Sequence, residues 1–454
     1  MSDFAPVERR DGYLPIEGHG LIGDGATAAL VGRDGAISWL CVPRFDSLPL
    51  FCGLLDAERG GAFLVAPEEL VESRQRYEPD SGVLVSELRG ADGLIQLTDA
   101  LTLRSGADLA EDAPAGRREL VRSVRVLAGR VRLRIEVMPR GGADMEARRG
   151  GWRVRCHARP ELDLQLDASR PLDGLRSTVE LTAGERLDLT LRWQHGTHRH
   201  RPFAADDLLR GTVDAWRRWL TPFRYEGPRA ELVRRSAITL KLLNHFAHGP
   251  MVAAPTSSLP EAIGGPRNWD YRYAWIRDAA FAVYALRRVG LDHEADGFLG
   301  WALDAAEQNG GMHVLYGLDG TRPPPEREDP GLEGYRRSAP VRWGNGAADQ
   351  IQHDVYGELV DCAYLWASRG PIDPPLWVRL RELIETARTV WNRPDQGIWE
   401  VRTPGRVFTY SAAMCQVALD RGAKLAARYG LPGDTAGWRA DARAIADRIV
   451  ADAW

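Results

Sequence analysis

The sequence predicts a two-part fold, with an N-terminal antiparallel β-sandwich followed by an α-helical domain of the α/α-toroid type. At 454 residues the chain is too long for one compact core and should divide into domains. Apolar residues alternate in short runs over residues 21–195, whereas from residue 229 they recur with the period of a helix. We therefore predict a β-sandwich domain at 1–204, a helical linker at 205–228 and a helical domain at 229–454.

The N-terminal part carries a strand pattern punctuated by turn signals. Runs such as GVLVSELRG and LVRSVRVLAGRVRLRIEVMP alternate apolar and polar residues, as expected of strands with one buried face. Turn sequences such as Arg33-Asp34-Gly35 separate the runs at intervals of about ten residues. Many short strands with this spacing are typical of an antiparallel sandwich.

The C-terminal part carries helical segments joined by long loops. Loops 250–276 and 310–348 are rich in Gly and Pro, and loops of that length inside a compact domain usually serve a function. Paired helices with long loops at one end favour a toroid whose loops build a cup, although seven helices are an uneven number for paired hairpins. The predicted segments, which follow a linker helix at 205–219, are 229–248, 277–290, 293–308, 349–369, 374–392, 410–430 and 434–452.

Composition excludes several classes of protein. A net charge of −4 gives no support to binding of nucleic acids or anionic membranes, and 44% hydrophobic residues are typical of a soluble globular chain. The sequence shows neither a signal peptide nor an apolar run approaching the roughly 18 residues of a membrane-spanning helix. We predict a cytoplasmic protein, because the five cysteines are scattered without disulfide or zinc spacing: Cys41, Cys52, Cys156, Cys362 and Cys415.

Two short motifs suggest cofactors but lack the context that those cofactors need. The run Gly18-His19-Gly20-Leu21-Ile22-Gly23 fits GxGxxG, yet the residues after it alternate like a strand, whereas a dinucleotide site needs a helix there. The cluster of His195, His198 and His200 has no nearby acidic or cysteine companion and lies in an Arg-rich stretch. We therefore predict no metal and no cofactor.

The most informative stretch is GGPRNWDYRYAWIRDAAF, at residues 264–281. It combines the rings of Tyr271 and Trp275 with an adjacent Arg277–Asp278 pair at the start of an apolar helix. Aromatic rings offer flat faces for the C–H face of a sugar, and Arg and Asp offer donors and acceptors to its hydroxyls. The pattern predicts a polyol-binding site. The alternative is an aromatic loop packed on a helix that is capped by an ion pair.

A second candidate is Glu400, in the run GIWEV between two predicted helices. The run follows Pro394, and the next helix begins near Tyr410, so Glu400 and its neighbour Trp399 lie on a loop. A carboxyl group beside an indole in a cleft can stay protonated at neutral pH because burial disfavours its charged form. The pattern fits a general acid, and the alternative is a surface glutamate in a turn.

Long segments of the chain resemble glycoside hydrolase family 15, which contains glucoamylases, glucodextranases and bacterial trehalases. IEGHGLIGDGATAALVGRDGAISWLCVPRFDS is similar to the trehalase-like N-terminal domain of its bacterial members. AAPTSSLPEAIGGPRNWDYRYAWIRDAAF and GIWEVRTPGRVFTYSAAMC resemble the first active-site loop and the loop with the catalytic acid, and VRWGNGAADQIQHDVYGELVD resembles a later inner helix. The resemblance implies an (α/α)6 toroid behind a trehalase-like β-domain.

The resemblance also implies roles for individual residues. Arg277 and Asp278 would bind the distal hydroxyls of the non-reducing glucosyl unit, and Tyr271 would lie against its ring near the cleaved bond. Trp275 belongs to the same sugar-gripping segment. Trp399 and Glu400 match the acid loop, with Glu400 protonating the glycosidic oxygen. Fungal glucoamylases carry a second glutamate directly after the acid, and Val401 in that place indicates the bacterial branch.

The family mechanism is inversion, in which a carboxylate opposite the acid activates water. In the family this base comes late in the toroid, and the sequence ends at Trp454, in the seventh of twelve expected helices. We therefore expect a toroid truncated after about seven helices, with the base outside it. Four carboxylates match family positions other than the base: Asp270, Asp349, Asp354 and Glu358.

Three functional hypotheses follow. The first is an exo-acting hydrolase that releases glucose from α-glucans or oligosaccharides, and the second is a trehalase of the same family. The third belongs to another class, a catalytically inactive fragment or pseudoenzyme that retains the sugar-binding residues. The β-domain could also reach the sugar site through Arg44-Phe45-Asp46.

Overall fold

The computed structural model describes residues 4–111, 113–148, 151–194, 204–246, 249–367 and 370–453. The chain forms two compact units. The first comprises Met1–Ala247, Ala254–Arg272 and Arg327–Trp343, and the second comprises His248–Ala253, Tyr273–Glu326 and Gly344–Trp454. Two loop segments from the helical half of the sequence thus belong to the same unit as the β-domain.

The first unit is built mainly from antiparallel strands. Its β-domain contains β1 (Ala5–Pro6), β2 (His19–Gly23), β3 (Ala28–Gly32), β4 (Ala36–Cys41), β5 (Pro49–Phe51), β6 (Ala62–Pro67), β7 (Leu70–Tyr77), β8 (Leu84–Gly90), β9 (Gly93–Leu103), β10 (Gly116–Met138), β11 (Ala143–Arg148), β12 (Gly151–Cys156), β13 (Asp163–Ala168), β14 (Arg176–Thr182) and β15 (Arg186–Gln194). Helices α1 (Ala205–Trp219) and α2 (Ala230–Leu242) follow.

The long strand β10 joins two layers of the β-domain. Its first half pairs with β9 and β15, and its second half pairs with β6 and β14. Both layers contribute buried side chains to one apolar core, including Ile37 and Phe63 on one side and Leu97 and Leu189 on the other. A strand that passes between packed layers is a usual way to close a sandwich.

Two short hairpins complete the first unit. Strands β16 (Ser257–Pro260) and β17 (Asn268–Asp270) pair with each other, as do β20 (Arg327–Asp329) and β21 (Val341–Trp343). The hydroxyls of Ser257 and Ser258 donate to the carbonyl oxygen of Arg342, which ties the two hairpins together.

The second unit is helical. It contains β18 (Ala274–Trp275), α3 (Ile276–Arg288), α4 (His293–Gln308), β19 (Leu315–Tyr316), α5 (Asp354–Trp366), α6 (Pro374–Val390), α7 (Thr409–Tyr429) and α8 (Thr435–Ala453). Strands β18 and β19 pair in antiparallel fashion.

Each predicted helical segment corresponds to one observed helix. The segment predicted at 349–369 begins later, at Asp354, because residues Gly346–Asp349 form a separate 3-10 turn in which the Asn345 side chain accepts from the Ala347 N–H group. Helix α6 begins at the predicted place because Asp373 accepts a hydrogen bond from the Leu376 N–H group at 2.7 Å, a standard N-cap. Among the helices of the described ranges, none is long and apolar enough to cross a membrane.

Candidate active site

Glu400 lies on a closed loop between α6 and α7. The loop is closed by two backbone hydrogen bonds between Asp395 and Arg406, at 3.0 and 2.9 Å. Within it, the Glu400 N–H group donates to the carbonyl oxygen of Gly397 at 3.0 Å, and Glu400 has a left-handed φ of 52°. A non-glycine residue with this backbone conformation carries strain, and such positions cluster at functional sites.

The side chain of Glu400 is held by two donors from the start of α3. The indole N–H of Trp275 donates to Glu400 Oε1 at 2.7 Å, and Arg277 Nη2 lies 3.4 Å from the same oxygen. Burial raises the pKa of Glu400, and the Trp275 hydrogen bond and the Arg277 charge act in the opposite direction. Because burial is the largest of these causes, the protonated carboxyl is favoured more than in an exposed glutamate, which is the direction that a general acid needs.

Arg277 connects the acid loop to the start of α5. Its Nη1 donates to Asp354 Oδ2 at 2.9 Å and to Gln352 Oε1 at 3.0 Å. Asp354 is fully buried, and burial raises the pKa of its carboxyl, while the charge of Arg277 lowers it. The guanidinium is therefore shared by oxygen atoms from two separate segments, one at Gln352 and Asp354 and one at Glu400.

Asp278 and Trp399 keep contact with solvent. Asp278 follows Arg277 on α3 and is exposed at its surface, yet the surrounding protein removes enough water to raise the pKa of its carboxyl, and Arg277 opposes that shift. Trp399 is 81% exposed beside Glu400. An open indole face next to a carboxyl suits contact with a sugar ring.

The structure divides the aromatic run between the two units. Trp275 and Tyr273 are buried in the second unit, whereas Tyr271 lies in the first, half-buried, with its carbonyl oxygen accepting from the Ala254 N–H group at 2.9 Å. Trp269 is also in the first unit, where its ring lies 4.6 Å from the Arg342 guanidinium. The structure thus brings together Trp275, Arg277 and Glu400 from the predicted set and places Tyr271 in the first unit.

Sequence reasoning missed several residues that support the acid loop. Gln350 Nε2 donates to the carbonyl oxygen of Glu400 at 3.1 Å. The carboxylate of Asp395 is buried and accepts from the His353 N–H group at 2.8 Å and from the Ser411 hydroxyl at 2.7 Å. The signal available in the sequence was the polar run before α5, where Gln350, Gln352 and Asp354 alternate.

A second buried carboxyl lies one helical turn along α5. The Tyr410 hydroxyl donates to Glu358 Oε1 at 2.6 Å, across the contact between α5 and α7. Burial raises the pKa of Glu358 to about 7, and the Tyr410 hydrogen bond opposes the shift. This carboxyl titrates near neutral pH although it has no direct contact with Glu400 among the hydrogen bonds described.

Of the two cofactor-like motifs in the sequence, the structure describes the GxGxxG run but not the histidine cluster. Residues His19–Gly23 form β2, which pairs with β3, so the GxGxxG run precedes a second strand and not a helix. His195, His198 and His200 lie outside the described residues. Within the described ranges, no group of three or more His, Cys, Asp or Glu side chains is arranged to hold a metal ion.

Comparisons with known proteins agree with the predicted family and fold class. The model of "Glycosyl hydrolases family 15" matches residues 227–454, and that of "Trehalase-like, N-terminal" matches residues 10–164. The chain is 37% identical to a trehalase of Mycolicibacterium smegmatis over 98% of this chain and 70% of that protein. It is 36% identical to a trehalase of Mycobacterium tuberculosis, over 100% of this chain and 70% of that protein. It is 32% identical to a trehalase of Thermoplasma volcanium, over 94% of this chain and 70% of that protein.

A solved structure supports the predicted fold class. A bacterial glucoamylase complexed with acarbose matches with a TM-score of 0.63 over 97% of this chain and 67% of that chain, at 12% sequence identity. At this identity the likeness shows the fold alone. It confirms an antiparallel N-terminal β-domain followed by a helical part of the glucoamylase-like (α/α)6 type.

Proposed function

Because the chain belongs to glycoside hydrolase family 15, we propose that it hydrolyses trehalose, with Glu400 as the general acid. The observation that carries the acid role is the Glu400 carboxyl, held 2.7 Å from the Trp275 indole nitrogen at a position where burial raises its pKa. The choice of trehalose rests on the relatives named trehalase, at 31–37% identity. They favour the trehalase hypothesis over release of glucose from α-glucans.

The sugar contacts are part of the same proposal. Arg277 and Asp278 would bind the hydroxyls of one glucosyl unit, since a guanidinium supplies five N–H donors and an exposed carboxylate supplies acceptors. Tyr271 would contact a sugar ring, Trp275 would act through its N–H bond to Glu400, and the open face of Trp399 would contact a ring on the acid side. Trehalose joins two glucose units through both anomeric carbons, so the leaving group also presents a C–H face for such stacking.

The proposed reaction follows from an acid in this setting. The Glu400 proton passes to the bridging oxygen as the bond from that oxygen to the anomeric carbon breaks. A water oxygen bonds to the same carbon from the opposite face, and a carboxylate base takes the proton that this water loses. Trp275 and Arg277 then stabilise the Glu400 carboxylate through the contacts already described.

We assign no described carboxyl to the base. Asp354 is paired with Arg277, and Glu358 accepts from Tyr410, so each already has a partner within its own helical unit. In an inverting enzyme the base stands about 6.5–9.5 Å from the acid, which leaves room for the water. A glutamate in that role stays a prediction.

Product stereochemistry tests the proposal. An inverting attack on trehalose releases one β-glucose from the attacked unit and one α-glucose from the leaving unit, so proton NMR at early times should show equal amounts. A retaining attack would give α-glucose from both. Faster hydrolysis of maltose than of trehalose would favour the α-glucan hypothesis. A folded chain that releases glucose from neither would support the inactive class.

A further inference from the structure

Next to Tyr271 lies a buried arginine–aspartate pair in the first unit. Arg272 is 1% exposed and Asp270 is fully buried. Arg272 donates from Nε to Asp270 Oδ1 at 2.8 Å and from Nη2 to Asp270 Oδ2 at 2.7 Å. This two-pronged contact fixes the plane and direction of the guanidinium more firmly than a single hydrogen bond does.

The remaining nitrogen of Arg272 is directed at the β-domain. Its Nη1 donates to the carbonyl oxygens of Phe45, at 3.3 Å, and of Ser47, and it lies 3.5 Å from Cys41 Sγ. Phe45 and Ser47 fall in the region matched by the trehalase-like N-terminal model, whereas Arg272 falls in the region matched by the family 15 model. One side chain therefore joins the two regions within one compact unit.

Two tryptophans, Trp39 and Trp343, add contacts between the same two regions of the sequence. The Trp39 indole N–H, from β4, donates to the carbonyl oxygen of Pro255 at 2.8 Å. The ring of Trp39 stacks on that of Trp343, with centroids 6.4 Å apart, and the Arg272 guanidinium lies 5.0 Å from the Trp343 ring. The segment at 254–272 is thus held at both ends by contacts to the β-domain.

Tyr271 lies between the two buried members of the pair. Successive side chains of an extended segment alternate in direction, so a half-buried Tyr271 between fully buried neighbours lies on the opposite side of the local backbone. Fixing Asp270 and Arg272 therefore restricts the backbone on both sides of Tyr271 and, with it, the side of the segment from which the ring extends.

We propose that Arg272 is a positioning residue through which the β-domain sets the orientation of Tyr271 for sugar binding. The inference rests on the role of Tyr271 in the proposed function. It also revises the hypothesis about Arg44-Phe45-Asp46. Arg44 and Asp46 pair with each other at 2.8 Å, and the contribution of this turn to the segment runs through the carbonyl oxygen of Phe45.

The β-domain offers a matched control for a substitution at Arg272. Arg122 is equally buried, donates from Nε to Asp99 Oδ1 at 2.7 Å, and reaches the carbonyl oxygens of Gly35, at 2.8 Å, and of Phe63. Lysine at either position keeps the charge but loses the two-pronged contact with the aspartate and the contacts with the backbone carbonyl oxygens. The two substitutions should therefore lower thermal stability by similar amounts, and only Arg272→Lys should change sugar binding.

The test is a double-mutant cycle on the full 454-residue chain, read by calorimetric binding of the glucose-shaped iminosugar 1-deoxynojirimycin. We expect Arg272→Lys to raise the dissociation constant about tenfold in the wild-type background and less than about twofold when Tyr271→Ala is already present. Arg122→Lys should change it less than about twofold in both backgrounds.

Several outcomes would overturn the inference. Additive effects of Arg272→Lys and Tyr271→Ala on the dissociation constant would do so, as would an Arg272→Lys variant that is less stable but binds the iminosugar as tightly as the wild type. If Arg272→Lys does not fold, Trp39→Phe replaces it, and absence of coupling between Trp39→Phe and Tyr271→Ala then counts against the proposal. Absence of iminosugar binding by the wild type also overturns it. Faster hydrolysis of maltose than of trehalose refutes only the proposed substrate, because it leaves unchanged the coupling between Arg272 and Tyr271 in iminosugar binding.

Discussion

Two arginines of one short stretch, Arg272 and Arg277, are used in different ways. Arg272 is 1% exposed and binds one dedicated carboxylate, Asp270, together with backbone carbonyl oxygens. Arg277 is 11% exposed and divides its donors among Gln352, Asp354 and Glu400. Both lie in the run that the sequence presents as a single aromatic motif, but they belong to different compact units.

The difference shows how one residue type can serve as an anchor or as part of a reactive site. A guanidinium whose partner oxygens are backbone carbonyls and one carboxylate fixes geometry, since those partners do not change during a reaction. Around Arg277, burial raises the pKa of Glu400, Asp354 and Asp278, so the protonated forms of these groups are favoured more than they would be in water. Substitutions at Glu400, Arg277 and Glu358 test this contrast.

Replacing Glu400 should have the largest effect. Glu400→Gln keeps the shape of the side chain and the contact with Trp275 but has no proton to donate at neutral pH. We expect kcat on trehalose to fall by about 10²–10⁴-fold, with the affinity for 1-deoxynojirimycin retained. The control is Glu382→Gln, at an exposed position on α6. Activity near the wild-type level in Glu400→Gln would remove Glu400 from the acid role.

Replacing Arg277 tests whether its neighbours depend on it. Arg277→Met leaves Asp354 buried without its charge partner, so we expect the free energy of unfolding, measured by urea denaturation at pH 7, to fall by about 3–5 kcal/mol. The double variant Arg277→Met/Asp354→Asn removes the unpaired charge and should recover much of that loss without recovering activity. Wild-type stability in the single variant would mean that Arg277 does not support Asp354.

Replacing Glu358 should have a smaller effect, which is a change in how protein stability depends on pH. Its pKa rises from an ordinary value of 4.5 to about 7 on folding, so between these values the native state binds more protons than the unfolded state. Stability contributed by this group is present below pH 4.5 and is lost as the pH rises to about 7, on the order of 3 kcal/mol in total. The variant Glu358→Gln should show a flatter stability profile across this range.

The partner of Glu358 supplies the control. Tyr410→Phe removes a hydrogen bond that lowers the pKa of Glu358, so the loss of stability should extend to higher pH in that variant. Thermal unfolding followed by circular dichroism at several pH values gives both profiles. Identical profiles for the wild type and Glu358→Gln would show that Glu358 does not titrate near pH 7.

Local sequence patterns predicted the secondary structure well but not the contacts made by single side chains. Helix α6 could be placed because Asp373 and Pro374 mark its start, and the change of hydrophobic period separated strands from helices. The partners of Arg277 could not be predicted, because Gln352 and Asp354 are 75 and 77 residues away in the sequence. The pairing of Arg272 with the carbonyl oxygen of Phe45 left no trace in side-chain chemistry, since any residue supplies that oxygen.

Residue types in the sequence identify only part of the candidate site, because the contacts within it join distant segments. Trp275, Arg277 and Glu400 were each singled out by residue type, and the structure brings their side chains together. Their roles, and those of Tyr271 and Asp278, stay predictions. Residues such as Gln350 and Asp395, which hold the acid loop through its backbone, carry no chemical signature of catalysis and become visible only through their hydrogen bonds.

The most direct test is the protonation of Glu400 itself. Difference infrared spectroscopy of the wild type against Glu400→Gln, across pH, isolates the carboxyl stretch of this residue. We expect the protonated band to persist above pH 4.5, the ordinary value for glutamate, because burial raises the pKa of Glu400. In Trp275→Phe, which lacks a donor that favours the carboxylate, the band should persist to a still higher pH. A wild-type band lost at or below pH 4.5, or one that Trp275→Phe shifts downward, would contradict a general acid at Glu400.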